Sequence, residues 1–362
     1  KSVETLSVEA GPPWRTSYFP YITGTGGDIL AAARVRRWQP AEVDDRVTYR
    51  GALSLDVGYG LHGSWLASAR FDAPLLTPRM RASVLLQATR ENRFGFYGLG
   101  NNTEYDKTLV DSTQPNLFRL ERIRYMAYAE GTRRIIGRLG VAVRVGGDLA
   151  RFEPLEGPSA FRTAYQTKLK ENDANVRLAL VYDTRNNEYN TRNGLLLEGG
   201  VQLGSGGDGY TRYYTVLRGY VPIRPSTVFA ARFGASNIHG DPSLNARFDL
   251  PTWDIPISVY GGYRSNRGYP LGRFVGKGVV FGSAELRQDF LPFGEVAASS
   301  LVLFVDAGRV FEAENFTFNG KALHVSGGIG AVARLLRSTI FTLNLARSSE
   351  EWKISAGSGW AF

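Results

Sequence analysis

The chain has 362 residues, including 42 Gly, 6 Trp, 18 Tyr and 20 Phe, with 21% charged residues and no cysteine. The lack of cysteine excludes a disulfide framework and a thiolate site, and no apolar run approaches the roughly 18 residues of a membrane-spanning helix. The net charge of +9 would raise nucleic acid as a partner, but the arginines fall one per predicted strand and not on one face, as phosphate binding requires, so nucleic acid is not expected.

The apolar residues alternate with polar ones, which is the period of a strand with two unlike faces. Trp14–Ile22 is the first predicted strand. Gly27–Trp38 follows, with Ile29, Ala31, Ala33 and Val35 on one face and Arg34 and Arg36 on the other. Tyr49–Tyr59 and His62–Asp72 repeat the pattern, and the prolines at 74 and 78 mark a tight turn. Met80–Phe96 and Leu117–Glu130 are separated by a long polar stretch, Tyr97–Asn116. Arg134–Ala150 sets Leu139, Val141, Val143 and Val145 against Arg138 and Arg144. A second long polar loop, Arg151–Asn172, leads to Asn175–Arg185. Gly194–Leu203, Tyr210–Val221 and Thr227–Ile238 precede the longest loop, His239–Lys277. Val279–Phe290, Leu301–Phe311, Ala322–Arg334, Thr339–Ser348 and Trp352–Phe362 complete the set.

These are sixteen strands, and the three long connections are the fifth, seventh and eleventh, all on one end if the strands run up and down. Long loops at one end and short turns at the other are the signature of an outer-membrane barrel. The expected fold is therefore all-β: a 16-stranded antiparallel transmembrane β-barrel over 14–362, preceded by a short periplasmic segment, 1–13. Closure in lipid removes unpaired edges, and no repeat period suggests a propeller or soluble repeat. The apolar faces then look outward, with Trp352, Trp360 and Phe362 as interfacial aromatics. By the same parity Phe304, Asp306 and Gly308 point into the lumen, as do Ser283, Glu285 and Arg287.

The long loop contains Arg267-Gly268-Tyr269 and is long enough to fold back into the lumen, where Arg267 would meet Asp306 and Glu285. A guanidinium fork on a carboxylate is directional and would fix the loop. This triplet after the eleventh strand, Phe304-x-Asp306-x-Gly308, the turn from Asp183-Thr184-Arg185-Asn186 through Gly194, and Phe362 together resemble the Omp85 superfamily, whose C-terminal barrel is the bacterial surface antigen (D15) domain. The resemblance, which includes Phe96 to Asn101 at an external edge, covers the whole chain. It implies a loop lock at Arg267, Gly268 and Tyr269 on Asp306 and its neighbours, and an insertion signal in the last strand at Trp360 and Phe362. Family members that assemble or export proteins carry periplasmic POTRA modules, and residues 1–13 are too few for one. A barrel-only member, or a barrel cut from a longer fusion such as the patatin-linked type, is the expectation.

Other chemistry finds no support. Gly204–Gly209 matches GxGxxG but lies between two strands with no helix after it, so it reads as a hairpin loop. His62, His239 and His324 have no metal-ligand spacing, no serine sits in a nucleophile elbow, and Glu285 and Asp306 read as charge balance for Arg267 and Arg287. No catalytic residue, metal or cofactor is expected. Pro20 cannot donate to a ladder and Gly357 and Gly359 pack nothing, which predicts a weak seam between the first and last strands that opens sideways or accepts a partner, as the resemblance to a laterally gated family implies. The function expected is a non-enzymatic accessory or membrane-remodelling subunit. The partners expected are outer-membrane lipid and lipopolysaccharide, a protein in the outer membrane or periplasm, and the barrel-assembly machinery for insertion. An autonomous diffusion or secretion pore, or the barrel anchor of a missing periplasmic enzyme domain, are the alternatives.

Overall fold

The computed structural model describes residues 12–25, 27–42, 45–254, 256–258, 260–293, 297–312, 322–335 and 339–362. Sixteen strands form one antiparallel sheet in chain order. They are β1 (Arg15–Thr25), β2 (Asp28–Pro40), β3 (Tyr49–Gly60), β4 (Trp65–Thr77), β5 (Met80–Gly95), β6 (Arg119–Ile136), β7 (Leu139–Pro154), β8 (Leu169–Asp183), β9 (Gly194–Gly204), β10 (Gly209–Arg224) and β11 (Thr227–Asp241). After the long loop come β14 (Gly278–Phe293), β15 (Ala297–Phe311), β16 (His324–Leu335), β17 (Thr339–Ser348) and β18 (Trp352–Ser358). The loop itself holds two short strands, β12 (Asp249–Leu250) and β13 (Ile257–Ser258), paired only with each other. The sheet rolls into a nearly closed barrel, with β1 and β18 at its two ends. No ladder joins those two among the described residues.

The two faces differ as the alternation dictates. On β8, Val176, Leu178, Leu180 and Tyr182 stand exposed on the outside while Arg177 and Asp183 are buried within. In lipid the outward apolar side chains meet their natural solvent, and every backbone group between paired strands is satisfied in the sheet. No helix is long and apolar enough to cross a membrane.

Several boundaries fall elsewhere than the sequence predicts. β8 begins at Leu169 and β15 at Ala297, earlier than expected, because their first residues extend the ladder beyond the stretch where one face must be apolar. The polar loops 97–116 and 151–172 hold the helices α1 (Lys107–Ser112) and α2 (Ala160–Tyr165), capped by Asp106 and Ser159 side chains. Six residues are too few to show a helical period. The segment expected at 1–13 lies outside the described residues except for 12 and 13.

The largest correction concerns the end of the chain. The last strand stops at Ser358, Gly359 adopts φ +85°, and Trp360, Ala361 and Phe362 are buried. A left-handed glycine reverses the alternation, so Trp360 and Phe362 lie within the barrel and do not face lipid.

Candidate functional site

The stretch 242–277 enters the lumen, runs along its wall and returns. Its first limb contains α3 (Leu244–Phe248) and β12 and continues to Asp254. Arginines projecting inward from neighbouring strands hold this limb, largely by its main chain. Arg212 on β10 donates to the carbonyl oxygens of Ala246 and, at 2.7 Å, Asp249. Arg177 on β8 donates to Pro251 O and Arg144 on β7 to Thr252 O at 3.4 Å. Arg124 on β6 pairs with the Asp249 carboxylate at 2.5 Å. Trp253 donates from its ring nitrogen to Thr132 Oγ1 at 2.8 Å, with the Arg81 guanidinium 4.4 Å from its ring centre. Asp254 receives Arg185 and Arg218 at 3.2 and 2.9 Å.

The returning limb reverses this polarity, since here the loop supplies the cations and the strands the carboxylates. Arg267 is buried and fully engaged. Its Nε and Nη2 donate to the two oxygens of Asp306 at 2.9 and 2.8 Å, and its backbone N–H donates to Asp306 Oδ2 at 3.0 Å. Nη1 donates to Glu285 Oε1 at 2.5 Å, and the Phe304 ring centre lies 3.5 Å from the guanidinium carbon. Strand register makes this possible: Asp306 stands opposite Ser283 and Phe304 opposite Glu285 on β14 and β15, so the two acids and the ring share one inward patch. Burial by itself would depress the Arg267 pKa, but the Asp306 and Glu285 carboxylates outweigh it and raise it above its ordinary value. Glu285 also accepts from Arg287 Nε at 2.8 Å, and Arg287 Nη2 donates to Phe362 O at 2.9 Å. The Arg287 guanidinium lies 4.2 Å from the Trp360 ring centre. One hydrogen-bonded chain thus connects the loop to the terminal aromatics.

The neighbouring loop residues depend on small wall residues. Gly268 donates to Ser326 Oγ at 3.2 Å, and a Cβ on it would lie 2.3 Å from the Ser326 Cβ. Gly308 faces Tyr260, and a Cβ there would lie 2.7 Å from that ring and 2.5 Å from Val280 O. Tyr269 is buried, stacks edge-on with Phe274 and His324, and its hydroxyl lies 3.0 Å from Ser349 Oγ.

Arg267, Gly268, Tyr269, Glu285, Phe304, Asp306 and Gly308 are therefore gathered in one place, with Trp360 and Phe362 beside them through Arg287. Pro20 stands apart, in β1 opposite Ala33. Gly357 needs correction, because it packs against the loop, while the space beside Gly359 is open. A Cβ on Gly357 would lie 2.5 Å from the Tyr263 ring, and Gly359 O accepts from Tyr263 Oη at 2.5 Å and Thr342 Oγ1 at 2.9 Å. The lack of a side chain at Gly357 makes room for Tyr263 on the lumen side of β18.

Sequence reasoning passed over Arg273, which lies in the same loop. It donates to Glu350 at 2.7–3.1 Å and to the Thr103 side chain and carbonyl at 2.5 and 2.6 Å. Its buried fork ties three external loops together, and a second Arg near the Arg-Gly-Tyr triplet was its only signal. Trp253 and Asp254 were likewise missed. Among the described residues no cluster of His, Asp and Glu could hold a metal ion.

The Omp85 superfamily domain is matched over residues 93–359. Among solved structures, BamA from Haemophilus ducreyi lacking POTRA domains 1-3 is similar at 14% identity and a TM-score of 0.59, covering 96% of this chain and 69% of that one. CdiB from Escherichia coli gives 10% identity and a TM-score of 0.58, covering 97% of this chain and 63% of that one. CdiB from Acinetobacter baumannii gives 12% and 0.55, with 96% and 65% covered. The chain thus spans about two thirds of these relatives. Curated protein sequences give no match.

Proposed function

The chain belongs to the Omp85 superfamily, and from that membership we propose that this outer-membrane barrel acts without enzymatic chemistry as an accessory or membrane-remodelling subunit of an outer-membrane assembly. The observation that carries this reading is the pairing of a fixed interior with free edges. Arg267 fastens the loop to β14 and β15 through a buried fork, while among the described residues no ladder covers the outer edges of β1 and β18, which can take a partner strand. Arg267, Gly268 and Tyr269 act as the loop lock, and Trp360 and Phe362, held by Arg287, as the assembly signal read by the insertion machinery. Lipid and lipopolysaccharide contact the outward face. Residues 14–362 form the barrel domain and 1–13 a periplasmic lead-in.

The test is isolation from native outer membrane in mild detergent followed by mass spectrometry of what co-purifies. A stoichiometric partner whose cross-links map to β1 or β18 is the expected result. A chain recovered alone, with cross-links absent from both edges, rejects the reading. One observation favours a second reading, an autonomous pore: a lumen cavity of about 2210 Å³ with charged walls lies beside the loop. Steady single-channel conductance that rises little on Arg267→Ala would support it.

A further inference from the structure

The cavity beside the loop is lined by ten arginines and eight carboxylates, so its charge is nearly balanced overall and any excess is local. Among the described residues Arg36, Arg212 and Arg264 line the cavity without an ion pair; Arg212 is spent on the carbonyl oxygens of Ala246 and Asp249, whereas Arg264 stands where the loop turns, beside Tyr263. Arg218 is buried and pairs with Asp254, which Arg185 already uses, and its Nε has no partner. Arg264 makes no ion pair among the described residues, and its Nη1 is buried without a hydrogen-bond acceptor. Behind it, Arg232 is spent on neutral oxygens, donating to Arg264 O at 2.7 Å and Ser283 Oγ at 2.9 Å. Buried guanidinium N–H groups without acceptors are costly, and a bidentate oxyanion is their best complement.

The same cavity reaches the barrel's open seam. Its lining includes Tyr18 and Ile22 from β1 and Ile354 and Ala356 from β18. By alternation these four lie on the outward faces of their strands, so the space that Arg218 and Arg264 border opens toward the bilayer between β1 and β18, which no ladder joins among the described residues. A small soluble anion would complement the arginines and leave the apolar edge residues unused. An anionic lipid uses both.

We propose that this corner of the lumen binds the phosphate of an anionic membrane lipid, with Arg264 and Arg218 as its cationic contacts and the acyl chains leaving between β1 and β18. Tyr220, Tyr263, Trp360 and Phe362 line the same corner and supply an amphipathic wall for the glycerol region. The site does not depend on the barrel being a subunit of a larger assembly, since it uses this chain alone.

The experiment is native mass spectrometry of the full chain in detergent, titrated separately with phosphatidylglycerol, phosphatidylcholine and inorganic phosphate. The expected result is one phosphatidylglycerol retained per barrel with at least tenfold preference over phosphatidylcholine. Arg264→Gln should reduce that preference to below threefold, Arg264→Lys should restore part of it, and Arg133→Gln, an exposed arginine elsewhere, should leave it unchanged. Each variant's folding is checked by heat-modifiable gel migration, which is independent of lipid. Equal retention of the two lipids, binding of inorganic phosphate without lipid preference, or loss of preference in Arg133→Gln as well as Arg264→Gln would each overturn the proposal.

Discussion

The two limbs of the lumen loop are fastened by opposite means. On the way in, strand arginines reach for the loop, and most of what they grasp is backbone: Ala246, Asp249, Pro251 and Thr252 all offer carbonyl oxygens. On the way out the loop itself supplies the cations, with Arg267 reaching Asp306 and Glu285 on the strands and Arg273 reaching Glu350 in the turn between β17 and β18. Backbone acceptors are present whatever the side chain, so the first limb tolerates change in its own residues while depending on the wall. The second limb depends on its own arginines. Substitution at single residues should therefore separate the two.

The largest effect is expected at Asp306. Asp306→Ala removes three hydrogen bonds from Arg267 at once and leaves Glu285 to serve two guanidiniums. Breaking a buried ion pair by deleting one partner costs about 3–5 kcal/mol, which should appear as a clear fall in thermal unfolding temperature in detergent. Protease sensitivity should appear at residues 260–277 while 244–254 stays protected. Equal exposure of both limbs would show that they are one cooperative unit and end the distinction drawn here.

A smaller effect is expected at Gly268. Its φ is ordinary, so the constraint is space alone: a Cβ would lie 2.3 Å from Ser326 Cβ and 3.1 Å from Ser348 Cβ. Overpacking of this kind costs roughly 1–3 kcal/mol, and Gly268→Ala should lower the unfolding temperature accordingly. Ser326→Gly in the same chain removes the first of those contacts and should recover part of the loss. Failure of this rescue would mean that Ser326 matters for its hydrogen bonds to Gly268 and Asn266 and not for the space beside it.

The same contrast explains what could be read before the fold was known. Alternation exposed the strands because lipid outside and arginine inside leave a period-two record, and it placed Phe304, Asp306 and Glu285 on the inward face. Arg267 was legible because it is a side chain with a specific chemical demand, lying in a loop otherwise rich in Gly. The first limb was invisible, since a carbonyl oxygen leaves no mark in a sequence. Trp360 and Phe362 misled for a related reason: period two continues formally through Gly359, and only its left-handed backbone turns them inward. Gly357 was read as an absence, whereas the Tyr263 ring occupies the space a side chain would need.

The one side-chain anion that anchors the middle of the first limb offers the mildest way to sharpen the comparison. Asp249 is partly exposed, and although burial alone would raise its pKa, Arg124 and Arg122 outweigh that and hold it below the ordinary value. A carboxyl whose folded pKa is depressed contributes stability above its unfolded pKa, near 3.9, and loses it as pH falls through the folded value. Between pH 5 and 8 the first limb should thus show no pH dependence from this group. Below about pH 4, hydrogen exchange at 244–254, corrected for intrinsic rates, should rise modestly, because the carbonyl contacts that hold most of the limb do not titrate. Asp249→Asn should raise exchange slightly at neutral pH and flatten the acid response. An acid response of the same size in that variant would assign it to another group, leaving the limb held by backbone contacts alone.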